Sequence, residues 1–362
     1  MLPQSGTSYL PSILTNVTIT QLSPFQSIMQ IIRLTTSPKI ILRMYPQMPV
    51  IFLINTTKNR IIISRQITCA MFKRLFGYSQ QSNRKMCILF AYNGAKVKSS
   101  DYSLILISNR DEYYKRPTKN LAPWDEDRNI FGGRDLEAES NGGTWLAMST
   151  IKKKIGVLLN LPRTPKDDAI SRGKIVEDFM KNNLCIQDYT KELRKYVDKS
   201  NGFVFIAVEF SNLSPSIHTY SNETDKLIQH DDITLGFGNS LPNVPLKKVE
   251  AGRMLLEDIC TRHGSVASRD KLVAELMKLL KSEERYLPDP ELELRRPAAS
   301  EQLSSIFVTI PQVGYGTRTH TIILITKEGK VDVIEETLQS PIDINNPDWH
   351  RTELQLQIPS RL

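Results

Sequence analysis

The sequence predicts an α+β protein in which sheets and helices are stacked in layers. After residue 85, continuous apolar runs of strand length cluster towards both ends of the chain, and amphipathic helices fill the middle. Runs that are apolar throughout, rather than alternating, are typical of sheets covered on both faces. Strands and helices do not alternate strictly, which disfavours a doubly wound nucleotide-binding fold and favours an α+β layered sandwich.

Eight apolar runs are the strand candidates. They cover residues 87–92, 103–108, 145–148, 155–159, 203–208, 306–310, 321–325 and 331–334. Four blocks with apolar residues at three- and four-residue steps are the helix candidates. They cover residues 172–182, with Ser171 as the N-cap, and 187–197, 245–260 and 269–280. Residues 338–362 have no strong pattern and are expected to form a weakly ordered C-terminal tail.

The excess positive charge of the chain lies entirely in its first 85 residues. The whole chain carries +8, whereas residues 1–85 contain four Lys, six Arg and no Asp or Glu. The remaining residues therefore sum to −2, and no nucleic-acid partner is predicted for them. The basic, hydroxyl-rich composition of residues 1–85 is typical of a mitochondrial transit segment. The favoured alternative is that these residues are untranslated leader sequence read as protein, with Met86 as the real start, and a disordered extension is expected in either case.

The cysteines argue against a zinc site and a disulfide scaffold, and the apolar runs argue against a membrane-spanning helix. Cys69, Cys87, Cys185 and Cys260 have neither zinc-site spacing nor the density of a disulfide scaffold, so a reducing compartment is expected. No metal or cofactor is predicted. The apolar run at residues 49–54 is far shorter than the roughly 20 residues that a membrane-spanning helix needs.

Polar residues gather where the predicted strands end. If the first two strands pair as an antiparallel hairpin, Cys87 lies beside the run Asn109-Arg110-Asp111-Glu112. Asn160 ends another buried strand, and Arg318 and His320 are expected to share one face at the start of the strand at 321–325. Polar residues at strand ends are commonly just solvated. A charged quartet emerging from an apolar strand, however, must find partners or water.

These residues belong to a series of motifs that resembles one known family. The motifs, in chain order, are Met86-Cys87-Ile88-Leu89-Phe90, Ser108-Asn109-Arg110-Asp111-Glu112, Arg116-Pro117, Phe131-Gly132-Gly133-Arg134-Asp135, Asn141-Gly142-Gly143-Thr144-Trp145-Leu146, Leu158-Leu159-Asn160, Gly236-Phe237-Gly238-Asn239-Ser240 and Gly314-Tyr315-Gly316-Thr317-Arg318. This series resembles the NRDE-motif family, also called the transport and Golgi organization protein 2 family. The resemblance spans residues 86–337 and does not include residues 1–85.

The resemblance implies a four-layer αββα fold similar to that of the N-terminal-nucleophile hydrolases, especially penicillin V acylases and bile-salt hydrolases. It implies Cys87 as nucleophile, Asp111 as the residue that orients its amine, and Arg110 and Arg318 as charges that lower the thiol pKa. Asn160 and Asn239 would donate to a developing oxyanion. This chemistry requires Cys87 to be the first residue, because only a free α-amine can act as its base. The spacing of Arg110 and Asp111, which are adjacent in this sequence, differs from the spacing in the acylases.

The function implied by the resemblance is that of a cytoplasmic protein supporting Golgi organisation and protein secretion. It would act by handling a hydrophobic or acyl-bearing small molecule, such as a lipid, acyl-CoA or haem, in the cleft. Two alternatives stay open: a Cys-nucleophile amidohydrolase or thioesterase, and a non-catalytic protein–protein adaptor. Peripheral association with Golgi membranes, or with mitochondria if residues 1–85 are a transit segment, also stays open.

Overall fold

The computed structural model describes residues 31–32, 53–57 and 60–64, and residues 86–359 apart from 138–142, 163–165 and 167–168. The chain divides into two compact units, Met1–Gln80 and Gln81–Leu362. None of the described helices is long and apolar enough to cross a membrane.

The first unit contains a small antiparallel sheet. Its strands are β1 (Ile31–Ile32), β2 (Leu53–Thr57) and β3 (Arg60–Ser64), in the order β1-β3-β2. Apart from these strands, the disordered extension and the transit segment expected for residues 1–85 lie outside the described residues.

The second unit is built on two antiparallel sheets of seven strands each. Sheet I has the order β13-β4-β5-β15-β16-β17, with the short β14 paired to β15. Its strands are β4 (Ile88–Tyr92), β5 (Tyr102–Tyr113), β13 (Thr234–Phe237), β14 (Thr309–Ile310), β15 (Tyr315–Thr326), β16 (Lys330–Leu338) and β17 (Trp349–Gln357).

Sheet II has the order β12-β11-β10-β9-β8-β7-β6, so its strands are adjacent in the same order as in the chain. The strands are β6 (Thr118–Pro123), β7 (Ile130–Asp135), β8 (Leu146–Ser149), β9 (Lys154–Asn160), β10 (Phe203–Ser211), β11 (Ser214–Ser221) and β12 (Lys226–His230).

The helices are α1 (Gly173–Lys181), α2 (Ile186–Val197), α3 (Lys247–Arg262), α4 (Arg269–Leu280), α5 (Pro290–Arg295) and α6 (Ser300–Leu303). Three buried apolar cores show where the larger helices pack. One core joins α3 and α4 to sheet I, one joins the two sheets, and one joins sheet II to α1 and α2. The layers therefore follow the order helices, sheet I, sheet II, helices, and the predicted α+β class is confirmed.

The pleat of each central strand divides its side chains between two of these cores. Ile88 and Phe90 of β4 pack towards α3 and α4, while Leu89 and Ala91 pack towards sheet II. A strand whose two faces are both buried reads as a continuous apolar run, which is why β4 was recognisable in the sequence.

Three expectations from the sequence are wrong. A weakly ordered tail was expected for residues 338–362, but in the described part, residues 338–359, β17 pairs with β16 along its whole length and Ile358 is fully buried. The run 306–310 forms only the two-residue strand β14, since Ile306 and Val308 fill the core from a loop. The charged quartet at 109–112 does not follow its strand but lies inside β5.

Candidate active site

The quartet Asn109-Arg110-Asp111-Glu112 lies in a strand because β15 continues alongside it. Asn109 is opposite His320, and Asp111 is opposite Thr317. Since successive side chains of a strand alternate between its faces, the quartet is split. Arg110 and Glu112 point to the side of sheet II, where the Arg110 guanidinium lies 4.2 Å from the centre of the Trp145 ring. Asn109 points to the helix layer.

A cleft with a volume of about 390 Å³ opens between the two sheets at this end of β5. Charged residues from β5 and the following turn form one wall: Arg110, Asp111, Glu112, Lys115 and Arg116. The opposite wall combines apolar side chains with the start of α1: Trp145, Leu158, Ala169, Ile170, Ser171, Arg172 and Gly173. Cys87 and Asn160 also line the cleft.

Two glycines allow α1 to start at the wall of the cleft. A Cβ atom on Gly143 would lie 2.6 Å from the backbone of Gly173, and one on Gly173 would lie 2.9 Å from the Cα atom of Gly143. The backbone N–H of Thr144 donates to the carbonyl of Gly173 over 3.2 Å. Neither position can accept a side chain without moving the helix.

Cys87 lines the cleft, and its thiol is protonated. The thiol donates to the carbonyl oxygen of Asp111 over 3.9 Å. Burial, followed by the negative charge of Asp111, raises the pKa of the Cys87 thiol to about 12. The nitrogen of Cys87 is an amide in this chain, and the preceding N–H of Met86 donates to the Tyr315 hydroxyl over 2.7 Å.

Asp111 is buried and incompletely hydrogen-bonded. Its Oδ1 atom accepts a 2.6 Å hydrogen bond from the Thr317 hydroxyl, and its Oδ2 atom has no partner. Burial raises the pKa of Asp111 to about 7, against the opposing effects of Lys248, Thr317 and Arg110. Asp111 therefore changes charge in the physiological pH range.

Arg110 is the other incompletely paired member of the quartet. It is 4% exposed, and its Nη2 atom lies 3.7 Å from the Glu112 carboxylate. Its Nη1 atom is buried and has no partner. The guanidinium makes a cation–π contact with the Trp145 ring, and both residues line the cleft.

The two predicted oxyanion residues occupy different places. Asn160 ends β9 and lines the cleft. Asn239 is 1% exposed and does not line it. The Asn239 side chain instead donates to the carbonyl oxygen of Asn160 over 2.6 Å, and its own Oδ1 atom has no partner. In this geometry Asn239 supports Asn160.

Arg318 lies at a β-bulge in β15 and is 1% exposed. Its Nη1 atom donates to the carbonyl oxygens of Tyr113 over 2.9 Å and Arg116 over 2.5 Å. Burial, followed by the charge of Arg110, lowers the pKa of Arg318 to about 10. Arg318 thus fixes the turn after β5 that carries Lys115 and Arg116 to the cleft, and it is not part of the cleft lining.

His320 is fully buried on the helix side of sheet I. Its Nδ1 atom lies 2.7 Å from Oδ1 of Asn109, and its ring stacks on Trp349 at a centroid distance of 4.7 Å. The prediction that Arg318 and His320 share one face is wrong, because the bulge at Arg318 interrupts the strand periodicity and the Arg318 guanidinium donates to Thr118 of sheet II.

The structure thus brings Cys87, Arg110, Asp111 and Asn160 into one cleft, and it places Asn239 and Arg318 behind the cleft wall. Sequence reasoning missed Arg172 and Lys248. Arg172 precedes a helix start, and Lys248 stands beside another lysine in an amphipathic helix, so neither carried a recognisable signal. In the part of the chain that the structure describes, no group of three or more His, Cys, Asp or Glu residues could hold a metal ion.

Comparison with known proteins agrees with the extent of this second unit. The family model for "Transport and Golgi organisation 2" matches residues 86–340. Transport and Golgi organization protein 2 of Drosophila melanogaster is 36% identical over 288 residues, covering 75% of this chain and 98% of that protein. Its homologue in Homo sapiens is 32% identical over 279 residues, covering 75% of this chain and 100% of that protein, and the Mus musculus homologue is 31% identical over 282 residues, with coverages of 76% and 100%. The chain belongs to the Transport and Golgi organisation 2 family.

Proposed function

We propose that this protein supports Golgi organisation and protein secretion by binding an acyl-bearing small molecule in the cleft. The role in Golgi organisation follows from the names of its relatives. The cleft would resemble that of an N-terminal-nucleophile hydrolase, and the observation that carries the proposal is the free donor of Arg110. Buried polar atoms without partners are rare in native proteins, and this one belongs to a residue that lines the cleft.

The chemistry of the two walls favours a ligand with an apolar chain and an anionic group. Trp145, Leu158 and Ile170 offer apolar surface to an acyl chain. Arg110 and Arg172 offer guanidinium donors, and guanidinium groups suit carboxylate and phosphate oxygens. An acyl-CoA and a fatty acid satisfy this description, and haem satisfies it through its propionates.

Binding can be tested with palmitoyl-CoA, palmitate and haem titrated separately into the full-length protein, with calorimetry as the readout. We expect one of them to bind, and we expect Arg110→Met to weaken that binding by about tenfold to a hundredfold, because a hydrogen bond to a charged group contributes about 1.5–3 kcal/mol. Arg128→Met is the matched control, because Arg128 is exposed and lies outside the cleft lining. Equal affinity in the Arg110 variant and the wild type would contradict the proposal.

The alternative function is hydrolysis of an amide or thioester by Cys87. The observation that favours it is the position of Cys87, Arg110, Asp111 and Asn160 around one cleft. The thiol pKa of about 12 opposes it, because the thiolate is the nucleophilic form. Cleavage before Cys87 would change this by creating a free α-amine beside the thiol.

N-terminal sequencing of the protein isolated from cells tests the alternative. A hydrolase requires a population that begins at Cys87. Such a population should also form a covalent adduct with an electrophilic amide probe, and Cys87→Ser should abolish that adduct. If no chain that begins at Cys87 is found, the α-amine mechanism is excluded, and the binding proposal is unaffected.

A further inference from the structure

The two seven-stranded sheets end in four edge strands, β13, β17, β12 and β6, and three of these edges are protected. An edge strand has one row of backbone N–H and C=O groups without a strand partner, so natural proteins cover or interrupt such edges. In β6 a bulge and Pro123 interrupt the edge, and the Leu121 N–H already donates to Glu335 over 2.8 Å. Strand β13 is only four residues long and packs against α3, and β17 carries the charged residues Arg351 and Glu353.

Strand β12 is the edge without such protection. It pairs with β11 over all five of its residues without a register shift, and within the described part of the chain it pairs with no other strand. It contains no proline, and its lysine, Lys226, lies at its start. Ile228, in the middle of the strand, is 43% exposed. A regular and partly apolar edge of this kind is a surface to which another strand can be added.

The charges around β12 fit a second copy of the same strand. Lys226 begins β12, and Asp232 lies two residues after its end. Both are exposed, and among the described residues neither has an ion-pair partner, whereas Asp231 lies 3.5 Å from the Lys96 ammonium. A strand with a cation at one end and an anion at the other is complementary to itself when two copies pair in antiparallel fashion.

The length of β12 determines the register of such a pair. Two copies related by a two-fold axis contact each other through the same patch. Pairing over all five residues therefore places Ile228 opposite Ile228 of the second copy, and Lys226 opposite His230 of the second copy. Asp232 of the second copy is then a diagonal neighbour of Lys226, at a spacing that long side chains can bridge.

We propose that β12 is a homodimer interface, in which two copies of this protein pair through β12 in antiparallel fashion around Ile228. The pairing joins the two copies of sheet II into one continuous sheet. None of the residues of β12 lines the cleft, so the interface is separate from the site of the proposed binding function.

Sedimentation velocity of the full-length protein over a range of concentrations tests the interface. The wild type should change from monomer to dimer as the concentration rises. Ile228→Lys should weaken dimerisation by about tenfold or more, because it places two ammonium groups directly opposite each other across the two-fold axis. Leu294→Lys is the matched control and should dimerise like the wild type, because Leu294 is 80% exposed but lies on α5, in the helix layer of sheet I.

Three outcomes would overturn the proposal. They are a wild type that stays monomeric up to about 100 µM, an Ile228→Lys variant that dimerises as tightly as the wild type, and equal weakening by Ile228→Lys and Leu294→Lys. Circular dichroism verifies that each variant is folded.

Exchange of the two charges tests the register, and it decides the matter if Ile228→Lys does not fold. Lys226→Asp and Asp232→Lys each bring like charges together and should each weaken dimerisation by about threefold to tenfold. The double variant Lys226→Asp/Asp232→Lys restores opposite charges and should recover the wild-type affinity. Single variants without effect, or a double variant that does not recover, would contradict the pairing. None of these measurements involves a ligand of the cleft, so their failure cannot be confused with failure of the binding proposal.

Discussion

Asn109 and Arg110 are adjacent in β5, yet they face environments that treat polar groups differently. On the helix side, Asn109 donates to the carbonyl oxygens of Leu280 over 2.8 Å and Ile306 over 3.0 Å, and it contacts His320 through Oδ1. On the cleft side, Arg110 keeps one buried donor without a partner. Asn109 closes the layer between sheet I and the helices, whereas Arg110 lines the cleft and keeps a buried donor unpaired.

The same contrast extends to the other predicted site residues. Arg110, Asp111, Asn239 and Arg318 each retain one buried polar atom that has no partner. Unsatisfied buried atoms cost free energy, so the stability of the fold does not explain these four. Asn109 belongs to the same sequence motif but has the bonding pattern of a structural residue.

Replacing Asn109 should have the largest effect on stability. Asn109→Ala removes hydrogen bonds to two buried carbonyl groups and to His320, so we expect the free energy of unfolding to fall by about 4 kcal/mol. Urea unfolding monitored by circular dichroism measures it. Asn129→Ala, at an exposed position, is the control. A loss as small as that of the control would show that the helix side is no more tightly bonded than the surface.

His320 should give the same side of the sheet a pH dependence. Burial, followed by the charge of Lys281, lowers the pKa of His320 to about 3. Asn109 uses both amide protons for carbonyl groups, so its Oδ1 accepts from Nδ1 of His320, and a second proton on Nε2 would have no partner. The unfolded chain binds this proton below about pH 6.5, the ordinary His pKa, and the folded chain does not.

The stability contributed by His320 is therefore complete above about pH 6.5 and is lost as the pH falls towards 3. When the pH is lowered from 6.5 to 4, we expect the free energy of unfolding of His320→Gln to fall by about 3 kcal/mol less than that of the wild type. Urea midpoints across this range measure the difference, and His350→Gln, on the exposed part of β17, is the control. Parallel curves for His320→Gln and the wild type would disprove the prediction.

Arg110 should have the smallest effect on stability. Arg110→Met keeps apolar contact with Trp145 and removes an incompletely bonded cation, but it leaves Glu112 with one fewer positive neighbour. We expect a loss of about 1 kcal/mol, well below that of Asn109→Ala. Urea unfolding of both variants side by side tests the ranking. A loss for Arg110→Met equal to that for Asn109→Ala would remove the distinction between the two faces.

The layer architecture could be predicted where apolar periodicity is strong. Helix α4 has the predicted bounds, and β4 and β9 lie within a residue of theirs. Strands β6, β12 and β17 were missed because they lie at or near sheet edges and carry polar side chains, which leaves no continuous apolar run. The length of β5 was missed because charged residues inside a buried strand look like the end of one.

The site could be predicted only in part, because the order of residues in the chain does not reveal which face of the sheet a side chain occupies. The hairpin of β4 and β5 correctly placed Cys87 beside the quartet. The bulge at Arg318 and the support of Asn160 by Asn239 depend on pairings between distant segments. Lys248 could not be found because only the packing of α3 on sheet I makes it differ from Lys247.

Strand β17 has a practical consequence for anyone who expresses this protein. The family match stops at residue 340, but β17 begins at Trp349 and forms the outer edge of sheet I. A chain truncated at residue 340 would uncover the β16 edge with its backbone groups unpaired, and such an edge is a template for aggregation. The charged residues Arg351 and Glu353 make β17 a safer outer border. Recombinant fragments should therefore extend at least to Ile358.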